Sequence, residues 1–194
     1  MSPQHCGGHF IVAGYEELIV PVLWEQATFV AKGGPEIVEQ MYTFADKANR
    51  PICLVPEITG MIQEVWRDDW ANRVRRPMRV FYIARCYRYE RPQRGRYREF
   101  TQVGVELLGG KAPDDRREVE ALLERCLDEV GVDYAFDRAV TRGLSYYTEA
   151  GFEARCSRLG TQQQIAGGGR YAEGIGWAIG LDRLALALAD GGPP

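Results

Sequence analysis

The sequence predicts an α+β fold in which an antiparallel β-sheet is flanked by helices. Residues 78–90 (MRVFYIARCYRYE) form a long run rich in aromatic and β-branched side chains, and residues 100–108 return after a polar loop, so the two build an extended hairpin. Asp114–Val130 places Val119, Leu122, Leu123, Cys126, Leu127 and Val130 at helical spacing, with acids crowded into the first turn where the helix dipole favours them. Hairpins that come first, with helices packed on one side, imply α+β layers around an antiparallel sheet. A chain of 194 residues with 45% hydrophobic content can bury one core. We therefore expect a flexible leader over residues 1–14, a single core over 15–190 and a tail over 191–194.

Taken in order, residues 17–24 (ELIVPVLW) read as a strand interrupted by Pro21, which removes a ladder donor and belongs at an edge or an interface. Residues 33–35 make a break, 41–44 a short strand, 49–51 a turn, and 52–55 another short strand ending at Pro56. Met61, Ile62, Val65, Trp66 and Trp70 fall at helical spacing within residues 59–70. Residues 92–98 read as a loop. Residues 134–136, 144–154, 163–166 and 175–179 are strand candidates, and 181–189 closes as a helix.

Composition narrows the function. The formal charge of −3 argues against binding nucleic acid through overall positive charge, although a local basic patch is compatible with it. The longest apolar stretch is broken by Pro21 and no basic segment precedes an apolar run near the start, so we expect a cytoplasmic protein without membrane association. Five scattered cysteines (Cys6, Cys53, Cys86, Cys126, Cys156) offer neither a zinc cluster nor a CxxC pair. The two histidines, His5 and His9, sit with Cys6 in a Gly-containing leader, so neither a metal site nor imidazole acid–base chemistry is expected. Arginine supplies 21 of the 24 basic residues, and its planar fork suits phosphate and carboxylate.

The chemistry concentrates in the hairpin. Arg85, Arg88, Arg91, Arg94, Arg96 and Arg98 interleave with Tyr87, Tyr89 and Tyr97. Strand alternation puts Arg88 on one face with Cys86 and Glu90, a cluster poised for phosphate, though an Arg-rich hairpin is also simply a solvated one. On the return strand Gln102, Gly104 and Glu106 share a polar face opposite Thr101, Val103, Val105 and Leu107. Gly104 leaves open space above the sheet for a small ligand.

Residues 87–109 (YRYERPQRGRYREFTQVGVELLG) resemble motif 2 of the histidyl-tRNA synthetases. Residues 142–153 (RGLSYYTEAGFE) and 166–171 (AGGGRY) are similar to that family's two histidine-specific signatures, and 176–184 (GWAIGLDRL) to its motif 3. Residues 14–25 resemble the motif 1 strand, and 54–59 (LVPEIT) the segment that holds the substrate amino group. The resemblance implies a class II aminoacyl-tRNA synthetase fold, a homodimer through motif 1, and ATP-dependent activation of histidine with transfer to tRNA or another acyl acceptor. By position, Arg88 would hold the ATP α-phosphate, Glu90 would help seat adenine, and Arg96 and Arg183 would reach the outer phosphates. Glu57, Thr59 and Gln102 would bind the ammonium group. Glu106 and a tyrosine, Tyr147 before Tyr146, would address the imidazole, with Gly168 and Tyr171 in the second signature. Arg142 would bridge the substrate carboxylate and the α-phosphate. Catalysis would rest on Arg88 and Arg142, with Mg²⁺ on the pyrophosphate.

The sequence also departs from the family. Ser145 and Ala172 stand where the family usually has acids, and Val55 and Ile58 where it has an Arg and a Gly. A short link, residues 109–137, is expected in place of a helical insertion, and no anticodon-binding segment is expected after motif 3. Two function classes follow: a minimal adenylating enzyme, or a non-catalytic paralogue that binds histidine and regulates a partner. Retention of Arg88, Arg142 and Arg183 favours the enzyme, since a sensor has no need of a triphosphate clamp. A protein that binds nucleic acid through the Arg hairpin alone is a third, weaker reading.

Overall fold

The computed structural model describes residues 10, 11, 13–141 and 143–189. In chain order the strands are β1 (Glu16–Glu17), β2 (Leu23–Glu25), β3 (Thr43–Ala45), β4 (Pro51–Leu54), β5 (Met78–Tyr87), β6 (Glu99–Leu108), β7 (Ala135–Val140), β8 (Gly151–Arg155), β9 (Gln164–Tyr171) and β10 (Gly174–Gly180). The α-helices are α1 (Gln26–Lys32), α2 (Gly34–Gln40), α3 (Thr59–Asp68), α4 (Asp114–Val130) and α5 (Leu181–Ala189). Seven strands form one sheet in the order β1-β5-β6-β10-β9-β8-β7, and β2-β4-β3 form a small second one. Every pair in the large sheet is antiparallel except β1 with β5. The expected α+β sheet is therefore present, with one parallel edge. β5 and β6 pair along their full lengths, from Met78 with Leu108 to Tyr87 with Glu99.

Strand alternation gives the sheet two apolar faces. Val103, Val105 and Leu107 turn to one side and pack with Val119, Leu123 and Leu127 of α4 and Leu184 of α5. The Trp177 indole N–H donates to the Val119 carbonyl at 2.7 Å, tying β10 to that helix. Tyr82, Ala84 and Cys86 turn to the other side, against Phe29, Ile37, Met61, Ile62 and Trp66 from α1, α2 and α3. Helices thus cover both faces, which corrects the one-sided packing expected from sequence. The helix expected over residues 59–70 lies on the face opposite α4, joined there by α1 and α2, which at seven residues each are too short to leave a legible period.

Three further expectations change. Residues 17–24 are not one strand, because β1 and β2 flank Pro21 and belong to different sheets. Within residues 144–154 only the end is β8, while Tyr146 and Tyr147 sit in a turn that touches the sheet through a single bridge from Tyr147 to Tyr171. The strand expected at residues 163–166 runs on to Tyr171 as β9, with Gly167 and Gly168 paired with both β8 and β10 and Gly169 with β10. Among the described residues no helix is long and apolar enough to cross a membrane.

Candidate active site

On the face opposite α4, the first three helices pack against Tyr82, Ala84 and Cys86 of β5 and reach Leu108 of β6 and Tyr171 of β9. The rest of that face, over β6, β10, β9 and β8, lies open beneath the turn at residues 143–147 and encloses a cavity of about 410 Å³. That is within the range of small-molecule sites.

One end of the cavity is cationic. Arg88 follows β5 and is steadied by its Nε–H, which donates to the Pro56 carbonyl at 2.9 Å, and by the Phe100 ring 5.3 Å from its guanidinium. Arg96, from the loop between β5 and β6, forms an ion pair with Glu90 and lies 3.8 Å from Glu36. Arg183, in the first turn of α5, donates from Nε to the Gly95 carbonyl at 2.6 Å and from a terminal nitrogen to the Gln164 carbonyl at 3.1 Å. Burial lowers the Arg183 pKa, and the neighbouring charges of Arg96 and Arg88 lower it further. Cations gathered so closely repel one another, a cost that a bound polyanion relieves.

The other end carries buried acids. Glu57 accepts the Gly60 N–H at 2.8 Å, at the start of α3, and the Tyr146 hydroxyl at 3.2 Å. Its pKa is raised by burial, against the hydrogen bond from Gly60 and the charge of Arg88. Glu106 is 1% exposed and held at both oxygens, by the Thr59 hydroxyl at 2.6 Å and the Tyr171 hydroxyl at 2.7 Å. Burial pushes its pKa up to about 8, and the charge of Glu57 adds to this, although both hydrogen bonds oppose it. A β-carbon at Gly176 would collide with this carboxylate, so glycine there makes its room.

The cavity wall includes Arg88, Glu90, Arg96 and Arg183 at the cationic end, and Glu57, Thr59, Gln102, Tyr146 and Tyr147 elsewhere. Three expected site residues lie off that wall. Glu106 and Tyr171 are buried behind it, linked to each other, and Gly168 turns to the opposite face, where a β-carbon would strike Trp177 and Phe152. Arg142 lies outside the described residues, as do His5, Cys6 and His9. The open space expected above Gly104 is filled by the Tyr82 ring, which a β-carbon there would meet.

Sequence reading missed Glu153. It is 6% exposed, lies on the cavity wall and forms an ion pair with Arg155. The signal was available: its neighbours Phe152 and Ala154 are apolar and belong to the core, so alternation puts Glu153 on the cavity face. Among the departures from the family, Ser145 donates its hydroxyl to the Lys32 carbonyl at 2.7 Å, a bond that a carboxylate could not make. Val55 and Ile58 are fully buried among apolar neighbours, and Ile58 also faces the cavity.

Residues 4–135 match the family described as histidyl-tRNA synthetase. The histidine–tRNA ligase of Archaeoglobus fulgidus is 40% identical over 281 aligned positions, covering 91% of this chain and 68% of that protein. That of Sulfolobus acidocaldarius is 42% identical over 120 residues, covering 62% of this chain and 28% of that protein. An alignment of 281 positions against 194 residues must be gapped on this side. The relative therefore carries internal segments that this chain lacks. Among solved structures, apo histidyl-tRNA synthetase of S. aureus superposes with a TM-score of 0.81 at 24% identity, over 98% of this chain and 65% of that one. A Bacillus halodurans protein described as an ATP phosphoribosyltransferase regulatory subunit/histidyl-tRNA synthetase gives 0.80 at 17% identity, over 95% of this chain and 77% of that one. At these identities the structures speak to the fold, and the family match speaks to descent. The chain belongs to the histidyl-tRNA synthetase family.

Proposed function

We propose that this chain activates histidine with ATP to form histidyl-adenylate, and passes the acyl group to tRNA or another acceptor. The observation that carries this is one cavity whose wall combines two groups: Arg88, Arg96 and Arg183, and Glu57 with Thr59 and the tyrosines. A triphosphate suits the first and an amino acid's cationic head the second. The substrate carboxylate is already ionised at neutral pH and needs no base. One of its oxygens attacks the α-phosphorus, the bond to the bridging oxygen breaks, and pyrophosphate leaves with the electron pair. Arg88 and, by its place in the first histidine signature, Arg142 would neutralise charge that builds on the phosphoryl oxygens.

Mg²⁺ fits this site only in part through protein ligands, because among the described residues no cluster of three or more His, Cys, Asp or Glu could hold a metal. Magnesium is commonly held by nucleotide phosphates and one or two carboxylates, and Glu153, ion-paired with Arg155, is the buried carboxylate on the cavity wall besides Glu57. When bound, the ion would supply charge neutralisation on the departing pyrophosphate.

The test is amino-acid-dependent exchange of labelled pyrophosphate into ATP, run with all twenty amino acids. Exchange with histidine alone, reduced at least about a hundredfold in Arg88→Ala and lost in Arg142→Ala, supports the enzyme. Histidine binding without exchange supports the second reading, a paralogue that binds histidine and regulates a partner. The likeness in fold to the Bacillus halodurans protein favours keeping that alternative.

A further inference from the structure

The loop that brings Tyr146 and Tyr147 to the cavity wall is tied at its base to α4, a helix of the opposite face of the sheet. The β7–β8 ladder is irregular where that loop begins. Asp137 pairs with Glu153 and Val140 with Gly151, so residues 138 and 139 face a single residue of β8, as in a bulge. A bulge leaves backbone groups that need partners elsewhere. Here the Ala139 N–H donates to the Asp137 carboxylate at 2.9 Å, and the Arg138 carbonyl accepts from Arg116 of α4 at 2.9 Å. The other terminal nitrogen of Arg116 donates to the Ala150 carbonyl at 3.1 Å, and its Nε–H donates to Glu120 at 2.7 Å. One guanidinium from outside the loop thus grips both of its ends.

The neighbouring residue holds the same exit. Asp115 is buried and accepts both terminal nitrogens of Arg170, at 3.1 and 2.6 Å. Arg170 in turn offers its carbonyl to the Thr148 N–H at 2.9 Å and to the Thr148 hydroxyl at 3.3 Å. The first turn of α4, which its sequence marks only as acidic, is therefore the anchor of a loop on the far side of the sheet.

We propose that Arg116 is a positioning residue for amino-acid activation: by closing the base of the loop it holds Tyr146 and Tyr147 in register with Glu57 on the cavity wall. This deepens the adenylation reading and rests on it for the identity of the ligand. Nearer its apex the loop is held by the Ser145 hydroxyl on the Lys32 carbonyl and the Tyr146 hydroxyl on Glu57. Those bonds leave the two ends of the loop to be fixed from elsewhere, and a displacement of about 1 Å in a site can cost about a hundredfold in rate. Arginine suits the task because its planar fork reaches three separate acceptors at once, which a lysine ammonium on a flexible stem does not.

Two variants of the full chain, followed by hydrogen exchange and by pyrophosphate exchange, test this. Arg116→Lys keeps the charge beside Glu120 and gives up the fork. Arg138→Ala removes the ion pairs of Arg138 with Glu120 and Glu124 of α4 but keeps the Arg138 carbonyl's place in the clamp. In the unliganded protein, backbone amides of residues 143–149 should exchange about tenfold faster in Arg116→Lys and near the wild-type rate in Arg138→Ala. Arg116→Lys should also raise the KM for histidine about tenfold and leave the KM for ATP near the wild-type value, whereas Arg138→Ala should leave both unchanged. Arg116→Gln, uncharged and with one amide donor group, serves the same comparison should Arg116→Lys not fold. Unaltered exchange of the loop amides overturns the clamp whatever the chain's activity. Equal rises in histidine KM in the Arg116 and Arg138 variants trace the effect to the ion network at large, and a KM for ATP that rises in step traces it to general loss of the site; either overturns the positioning role. Absence of pyrophosphate exchange in the wild type defeats the adenylation reading and leaves the loop amides to decide on the clamp.

Discussion

Glu106 is a buried acid whose ordinary charge the fold opposes. Its pKa is raised to about 8 chiefly by burial, so between about pH 4.5 and 8 the native chain holds a proton that the unfolded chain has released. Stability contributed by this group is therefore greatest near pH 4.5, falls as the pH rises and levels off above about 8. Glu106→Gln removes the titration while keeping the shape, its amide oxygen accepting from one of the two hydroxyls and its NH₂ donating to the other. Thermal melts from pH 5 to 9 should place the variant close to wild type at pH 5 and more stable by several °C above pH 8; parallel curves would refute the assignment. Much of this site was legible in sequence because the resemblance to the family's motifs named residues that share the cavity, from Glu57 to Arg183. What that resemblance could not reveal is depth. Glu106 and Tyr171 lie behind the wall because their hydroxyl and carboxylate satisfy each other, and that pairing joins strands 65 residues apart.

At the scale of elements, α4 is the clearest case of sequence dictating structure. Its apolar positions bury Val119, Leu122, Leu123, Cys126 and Leu127, and its end is set by Gly131, at φ 76°. The Gly131 N–H donates to the carbonyls of Leu127 and Asp128, satisfying groups that the helix leaves orphaned. Gly131→Ala would force a side chain into the left-handed region at a cost of about 1 kcal/mol. Urea titration should give a lower midpoint with an unchanged slope. Elements without such signals were misread. The segment at residues 144–154 has the residue types of a strand, yet Ser145 bonds to the Lys32 carbonyl and Tyr146 to Glu57, holding its first half away from the sheet. Those partners lie more than 80 residues away in sequence, beyond the reach of any local pattern. The glycines of β9 misled in the opposite sense: the expected strand stops before them at residue 166, but here the strand runs through them, and a β-carbon at Gly168 would meet the Gly176 carbonyl and the Trp177 side chain.

Across the whole molecule, the unexplained feature is an apolar surface around the small sheet. Ile19 is 89% exposed, and Val22, Leu23, Val30 and Phe44 are each close to half exposed. These residues come from the segment around Pro21, from α1 and from β3, an edge strand of the small sheet. Such a concentration is the kind of surface that a partner covers, and a second copy is the partner that the resemblance of residues 14–25 to motif 1 implies. A symmetric pair would bury the same patch on both subunits. Ile19→Arg combined with Phe44→Arg should then halve the mass found by sedimentation equilibrium while preserving the circular dichroism spectrum. The same surface is wired to the cavity: Glu36 and Ile37 of α2 line it, the Lys32 carbonyl at the end of α1 holds Ser145, and the Gln40 carbonyl accepts the Tyr89 N–H at 2.7 Å. Loosening α1 and α2 by removing the partner should therefore lower pyrophosphate exchange, and adding protein should not restore it. A double variant that is monomeric yet fully active would separate the surface from the site and leave the apolar patch to some other contact.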